Sequence, residues 1–196
     1  MEIEYEATYL NIDKDEVRAR LKSAGAKLIK PEFLQRRYVW HFPKGHEIYG
    51  SWVRVRDEGD KVTMSVKIVD GRNLEDQREV MLIIDNFDKA REMLNLIGCQ
   101  ERAYQETKRE LWHLDGAEIT IDEWPHLEPF VEVEAMSEEE VKNVSAKIGF
   151  DYSQAKFGSA DFFYADKYNI SIDVFNKETP ILTFDQPNPF INKNNS

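Results

Sequence analysis

The chain has 196 residues, a formal net charge of −11, 41% hydrophobic and 32% charged residues. That length suits one domain with a full core, and the acidic balance offers no bulk attraction to nucleic acid polymers or anionic membranes. A single cysteine, Cys99, excludes an intramolecular disulfide framework and a cysteine-cluster metal site, and no apolar run reaches membrane-spanning length.

Residues 1–10 alternate, which predicts a strand with Glu2, Glu4, Glu6 and Thr8 on one face and Ile3, Tyr5, Ala7 and Tyr9 on the other. Asp13 caps a helix, with Glu16 placed as in a capping box; Val17, Leu21 and Ala24 form its stripe and Gly25 ends it. A second strand is predicted over 35–42, a hairpin over 52–56 and 62–68 around the turn 57–60, and a strand over 77–85. Residues 86–97 carry a helical stripe of Phe87, Ala90, Leu94 and Ile97. A further hairpin joins 104–114 to 117–124 about Asp115-Gly116, and 130–135 reads as a short strand. Ser137 and Glu140 open a third helix over 137–148, stopped at Gly149. Beyond 150 the pattern weakens, 159–169 has helical spacing, and the polar tail 191–196 is expected to fray. Hairpin-linked strands without βαβ alternation predict an α+β fold on a largely antiparallel sheet.

One face of nearly every strand is charged. Arg54 and Arg56 oppose Val53 and Val55; Thr63, Ser65 and Lys67 oppose Met64 and Val66; Thr120 and Asp122 oppose Ile119 and Ile121; Glu132 and Glu134 oppose Val131 and Val133. Arg37 lies on the second strand and Glu4 and Glu6 on the first. Such a face points either to open water, as in many antiparallel sheets, or into a closed lumen. Two features favour the lumen: acids gather on the first and late strands and bases on the middle ones, and arginine, whose planar fork suits phosphate oxygens, outnumbers lysine at the middle inward positions. Bases beside acids on one concave surface suit a triphosphate carried with a hard divalent cation. His41, His46, His113 and His126 show no metal-ligand spacing. Trp52 and Trp112 read as packing residues, and Cys99 as buried and inert.

In order along the chain, Glu4-x-Glu6, Arg54-x-Arg56, Lys67, Glu79, Lys108-Arg109, Asp122 and Phe130-Val-Glu132-Val-Glu134 resemble the CYTH superfamily of triphosphate tunnel metalloenzymes, over roughly residues 1–165. The resemblance implies a closed eight-stranded antiparallel β tunnel with helices outside. It implies metal ligands at Glu4, Glu6, Asp122, Glu132 and Glu134, and phosphate binding by Arg37, Arg54, Arg56, Lys67, Arg109 and Lys156. Of the Lys108-Arg109 pair, Arg109 is the one expected to face inward. Glu4 and Glu6 take the catalytic positions together with Thr8, which stands where the family's Glu-x-Glu-x-Lys motif has lysine; a binding module with weak turnover is therefore the alternative to an enzyme. The implied activity is Mg2+- or Mn2+-dependent hydrolysis of inorganic tripolyphosphate, thiamine triphosphate or a nucleoside triphosphate, with class IV adenylyl cyclisation as a lesser option.

A tunnel domain is expected over 1–170 and a partly flexible extension over 171–196. The expected partner is a small-molecule triphosphate, with no nucleic acid polymer and no membrane. Either a monomer or a homodimer fits. The opening Met-Glu-Ile-Glu shows no signal-peptide pattern, and a cytoplasmic setting is expected.

Overall fold

In the computed structural model, the described residues are 5–71 and 76–191, with the backbone alone at 2–3. Glu4, and the side chain of Glu2, lie outside them. The strands are β1 (Glu2–Ile3), β2 (Tyr5–Tyr9), β3 (Lys27–His41), β4 (Ser51–Asp57), β5 (Val62–Val69), β6 (Gln77–Ile84), β7 (Gln100–Leu114), β8 (Ala117–Glu123), β9 (Phe130–Ala135) and β10 (Ile181–Leu182). The helices are α1 (Lys14–Ser23), α2 (Phe87–Leu96), α3 (Glu138–Lys147), α4 (Ala160–Tyr168) and α5 (Ile172–Glu178). None is long and apolar enough to cross a membrane.

The sheet runs β1-β6-β5-β4-β3-β7-β8-β9-β2, antiparallel throughout, and β10 adds a short parallel pairing to β7. β1 and β2 belong to one N-terminal stretch, yet β1 pairs with β6 and β2 with β9. A single stretch touching both edges curls the sheet into a tunnel. Among the described residues, the contact on the β6 side is Glu2↔Glu79 and Ile3↔Arg78. The closed barrel expected from the sequence is therefore a strongly curled sheet, joined at one short contact because a single stretch must serve both edges.

Helix starts follow the caps. Asp13 accepts the Asp15 and Glu16 N–H groups at 2.9 Å, and Ser137 accepts that of Glu140. The Glu16 carboxylate pairs with Arg20 rather than closing a capping box. β3 begins at Lys27, well before the predicted residue 35. Register shifts on both sides of Lys30 let Pro31, which has no N–H to donate, sit in this long strand.

Helices cover most of the outer face of the sheet, while Val80 and Leu82 of β6 stay exposed. Val17 and Leu21 of α1 and Val141, Val144 and Ile148 at α3 pack against Ala7, Ile119, Ile121, Val131 and Val133. Ala90 and Leu94 of α2 cover Trp40, Val53 and Val55. Each large side chain so buried contributes about 1.5–3 kcal/mol. A third cluster joins Tyr164, Phe175, Leu182 and Phe190 to Trp124. Residues 171–191, expected as an extension, are thus packed onto the tunnel, and 192–196 fall outside the described residues.

Candidate functional site

With the apolar face under helices, the polar face turns inward. Gln35, Arg37, Thr63, Ser65, Gln105, Thr107, Thr120 and Asp122 are all buried, as they would not be on an open sheet. They surround or adjoin a cavity of about 710 Å³. Its lining includes the sequence-predicted Glu6, Arg37, Arg54, Arg56, Lys67, Arg109, Glu132 and Glu134, together with Glu79. Trp52, read as a packing residue, also lines it.

The basic side is set by register. Arg37 faces Arg56 across β3 and β4, and Arg54 follows on β4. Arg54 Nη2 donates to Glu79 Oε1 at 2.8 Å, and Arg56 Nε to Glu58 Oε1 at 2.9 Å. Arg109 is forked: its Nε and Nη2 donate to the two carboxylate oxygens of Asp122 (2.8 and 2.6 Å), and Nη2 also to Glu132 (2.9 Å). Lys108 points the other way, as expected, and pairs with Glu123.

Arg37 differs from the rest. It donates to Gln35 and Thr107 and lies over the Trp124 ring at 4.7 Å, with no carboxylate in its hydrogen-bond set. Its Nε, like that of Arg54, is buried without a partner among the described residues. Burial, then repulsion from Arg54, Arg56 and Arg109, pushes its pKa well below the usual guanidinium range. Burial with Arg54 and Arg109 likewise brings Arg56 down to about 10. Four guanidinium groups thus lie within mutual repulsion; three are paired with carboxylates, and Arg37 donates only to neutral acceptors among the described residues.

The acidic side is a cross-strand row. Glu6 pairs with Glu134, and Glu134 with Glu118, so three glutamates on one face stand in register over β2, β9 and β8. Like charges so opposed are unfavourable unless a cation joins them. Glu132 sits one pleat away, between Thr8 and Thr120. Burial, then Glu6 and Asp122, pushes its carboxyl well above the usual range. Burial also acts to raise Asp122, but the Arg109 guanidinium overcomes it and holds that carboxyl low.

These two shifts act oppositely on stability. Glu132 binds its proton more tightly folded than unfolded, so its contribution is complete below an unfolded pKa of about 4.3 and is lost as pH rises through the raised value. Asp122 contributes above about 3.9 and loses that contribution as pH falls through its lowered value. Glu132→Gln should therefore flatten the decline of Tm as pH rises above about 4.3 in metal-free buffer and leave the acid limb in place. Melting curves across pH test this; an unchanged decline would count against the crowding of Glu132.

The remaining sequence-predicted residues are placed differently. Thr8 is buried and does not line the cavity; its N–H and C=O pair with the backbone of Lys156 at 3.0 and 2.8 Å. Lys156 is exposed and does not line the cavity either, because its segment lies along the outer edge of β2. Asp122 reaches the site only through Arg109, which takes both of its oxygens. Among the described residues no three acidic, histidine or cysteine side chains are grouped so as to hold a metal ion. Sequence reasoning missed Lys30, Glu58, Lys61, Arg102, Glu118, Trp124 and Asp161, all of which line the cavity. Alternation with Thr120 and Asp122 could have found Glu118; a turn hides Glu58 and a bulge hides Arg102.

No curated protein sequence matches this chain. Among solved structures, a Vibrio parahaemolyticus protein proposed to be an adenylate cyclase superposes with a TM-score of 0.72 at 15% identity, covering 84% of this chain and 98% of that one. PH1819 of Pyrococcus horikoshii gives 0.67 at 18% identity, over 84% and 99%. HpAC1 from Hippeastrum, described as having a dominant triphosphatase activity, gives 0.56 at 16% identity, over 87% and 97%. At such identities the likeness is one of fold. The CYTH domain profile matches residues 1–161, most of the chain, and the protein belongs to the CYTH domain family.

Proposed function

We propose that the tunnel binds the phosphate chain of a triphosphate together with Mg2+ or Mn2+ and hydrolyses it. The observation that carries this reading is the cluster of Arg37, Arg54, Arg56 and Arg109 within mutual repulsion, facing a row of in-register glutamates across one cavity. The triphosphatase activity described for HpAC1 adds weight from a protein of like fold.

Arg37, Arg54, Arg56 and Lys67 hold phosphate oxygens and orient the chain along the axis. Arg109, fixed by Asp122, stabilises charge that develops on the transferred group. Glu6, Glu132 and Glu134, with Glu4 outside the described residues, are the proposed carriers of the cation. The crowding that raises Glu132 fits such a role, because a divalent ion relieves carboxylate repulsion. Because the described residues present no group of three that could hold the ion, ligand oxygens would have to supply part of its binding. The bound ion supplies charge neutralisation and an activated water.

Thr8 favours a second reading, a binding module with slow turnover. Neither Thr8 nor Lys156 brings a base to the cavity. Phosphate release from tripolyphosphate with Mn2+, by wild type and Thr8→Lys, separates the two. Turnover by wild type supports the enzyme. A Tm shift by tripolyphosphate without turnover, with turnover appearing in Thr8→Lys, supports the binding module. Neither a Tm shift nor release from tripolyphosphate or its esters would overturn both.

A further inference from the structure

One cationic side chain reaches the cavity against the strand's alternation. Val39 pairs with Ala103 while Trp40 pairs with Glu101, so Arg102 is the extra residue of a bulge in β7. Regular alternation through Arg109, Thr107, Gln105 and Ala103 would send Arg102 outward. The bulge re-aims it, and it lines the cavity along with Ser159 and Asp161 beside the start of α4 and Phe175 of α5. Arg102 Nε is buried with no hydrogen-bond partner among the described residues. The acid that acts on it is Asp161, which already accepts from Ser159 Oγ and, at 3.1 Å, from the Phe162 N–H.

Arg102 stands apart from the four-arginine cluster. Gln105 is the β7 partner of Arg37, and three residues of strand from there to Arg102 rise about 10 Å. The repulsion that Arg54, Arg56 and Arg109 exert on Arg37 is not matched at Arg102, where burial dominates and Asp161 opposes it. A half-buried guanidinium whose Nε has no partner and whose nearby acid is already engaged is unfavourable in the free protein. An anionic ligand group relieves it through charge-assisted hydrogen bonds, whereas a cationic group at that end is repelled.

We propose that Arg102 is a specificity-determining residue that takes a further phosphoryl group beyond the third, so that the tunnel selects linear phosphate chains longer than three units over triphosphate esters with neutral or cationic heads. This rests on the triphosphate reading above and names its substrate class. No covalent step is added; the selection is one of binding.

The test uses the full chain and titrates tripolyphosphate, tetrapolyphosphate and thiamine triphosphate, whose head is cationic, by calorimetry. Wild type should bind tetrapolyphosphate more tightly than tripolyphosphate, and R102M should reduce that ratio of affinities about tenfold. In R102M the affinity of thiamine triphosphate relative to tripolyphosphate should rise. R102K, which keeps the charge, should keep more of the tetrapolyphosphate preference than R102M. Melting without ligand checks folding: R102M should melt close to wild type, because Arg102 is only half-buried and its Nε makes no hydrogen bond among the described residues. If wild type binds tripolyphosphate and R102M leaves the ratio unchanged, the role of Arg102 is overturned while the triphosphate reading stands. If wild type binds none of the linear phosphates, both fall together.

Discussion

Replacing Asp122 with alanine is expected to destabilise the metal-free protein by about 3–5 kcal/mol, which lowers Tm by roughly 6–20 °C for a domain of this size. Asp122 is 1% exposed and accepts both forks of Arg109 as well as the Thr120 hydroxyl at 3.0 Å. Its removal leaves the half-buried Arg109 with Glu132 as the remaining acid in its hydrogen bonds. Breaking one side of a buried pair costs far more than the pair contributes net, because the survivor stays desolvated. The same experiment separates two roles for Asp122. As the anchor of Arg109 it governs the metal-free Tm. As a metal ligand, the role implied by the family resemblance, its loss should abolish the Mn2+-induced rise in Tm and leave the metal-free value near wild type. The geometry favours the anchor, and a metal-free Tm within about 1 kcal/mol of wild type would refute it.

Alternation along regular strands carried the site a long way. Arg54 and Arg56, or Glu132 and Glu134, lie two residues apart, so period-two geometry puts each pair on one face wherever the strand runs. The same rule turned Lys108 outward and Arg109 inward, as observed. Alternation names a face, however, and not a partner. That Arg109 stands in register with Asp122, and so removes it from the row of open carboxylates, depends on how β7 and β8 are paired. Arg102 was illegible for a different reason: one inserted residue reverses the parity of the strand, and nothing local in Glu101-Arg102-Ala103 announces it. The C-terminal segment was illegible because its order is long-range. Phe175 and Phe190 are held by stacking with Tyr164 and Tyr168, and Leu182 by packing into the same cluster beside Trp124, rather than by a periodic stripe of their own. Pro31 likewise hid the first part of β3, which the 15-residue β7 nonetheless pairs along its length.

Removing the charge of Arg54 and Arg56 should weaken tripolyphosphate binding by about 10²- to 10⁴-fold, taking about 1.5–3 kcal/mol for hydrogen bonds from each charged group. Simple truncation would confuse binding with folding. Glu58 is buried and Glu79 half-buried, and each would lose its arginine partner. The decisive variant is therefore the neutralised pair, R54M with E79Q, set beside R54M alone. The pair removes the phosphate donor and the stranded acid together, so it should melt within about 1 kcal/mol of wild type, while R54M alone melts well below it. Both should bind tripolyphosphate poorly in metal-free titrations. Arg56 with Glu58 allows the same comparison at the next position, where the guanidinium is already lowered to about 10 by burial and its neighbours. A bound phosphate chain should restore its full charge, and so affinity should fall as pH is raised through that value. If R54M/E79Q bound tripolyphosphate as tightly as wild type, the arginines would be holding the barrel wall rather than a ligand.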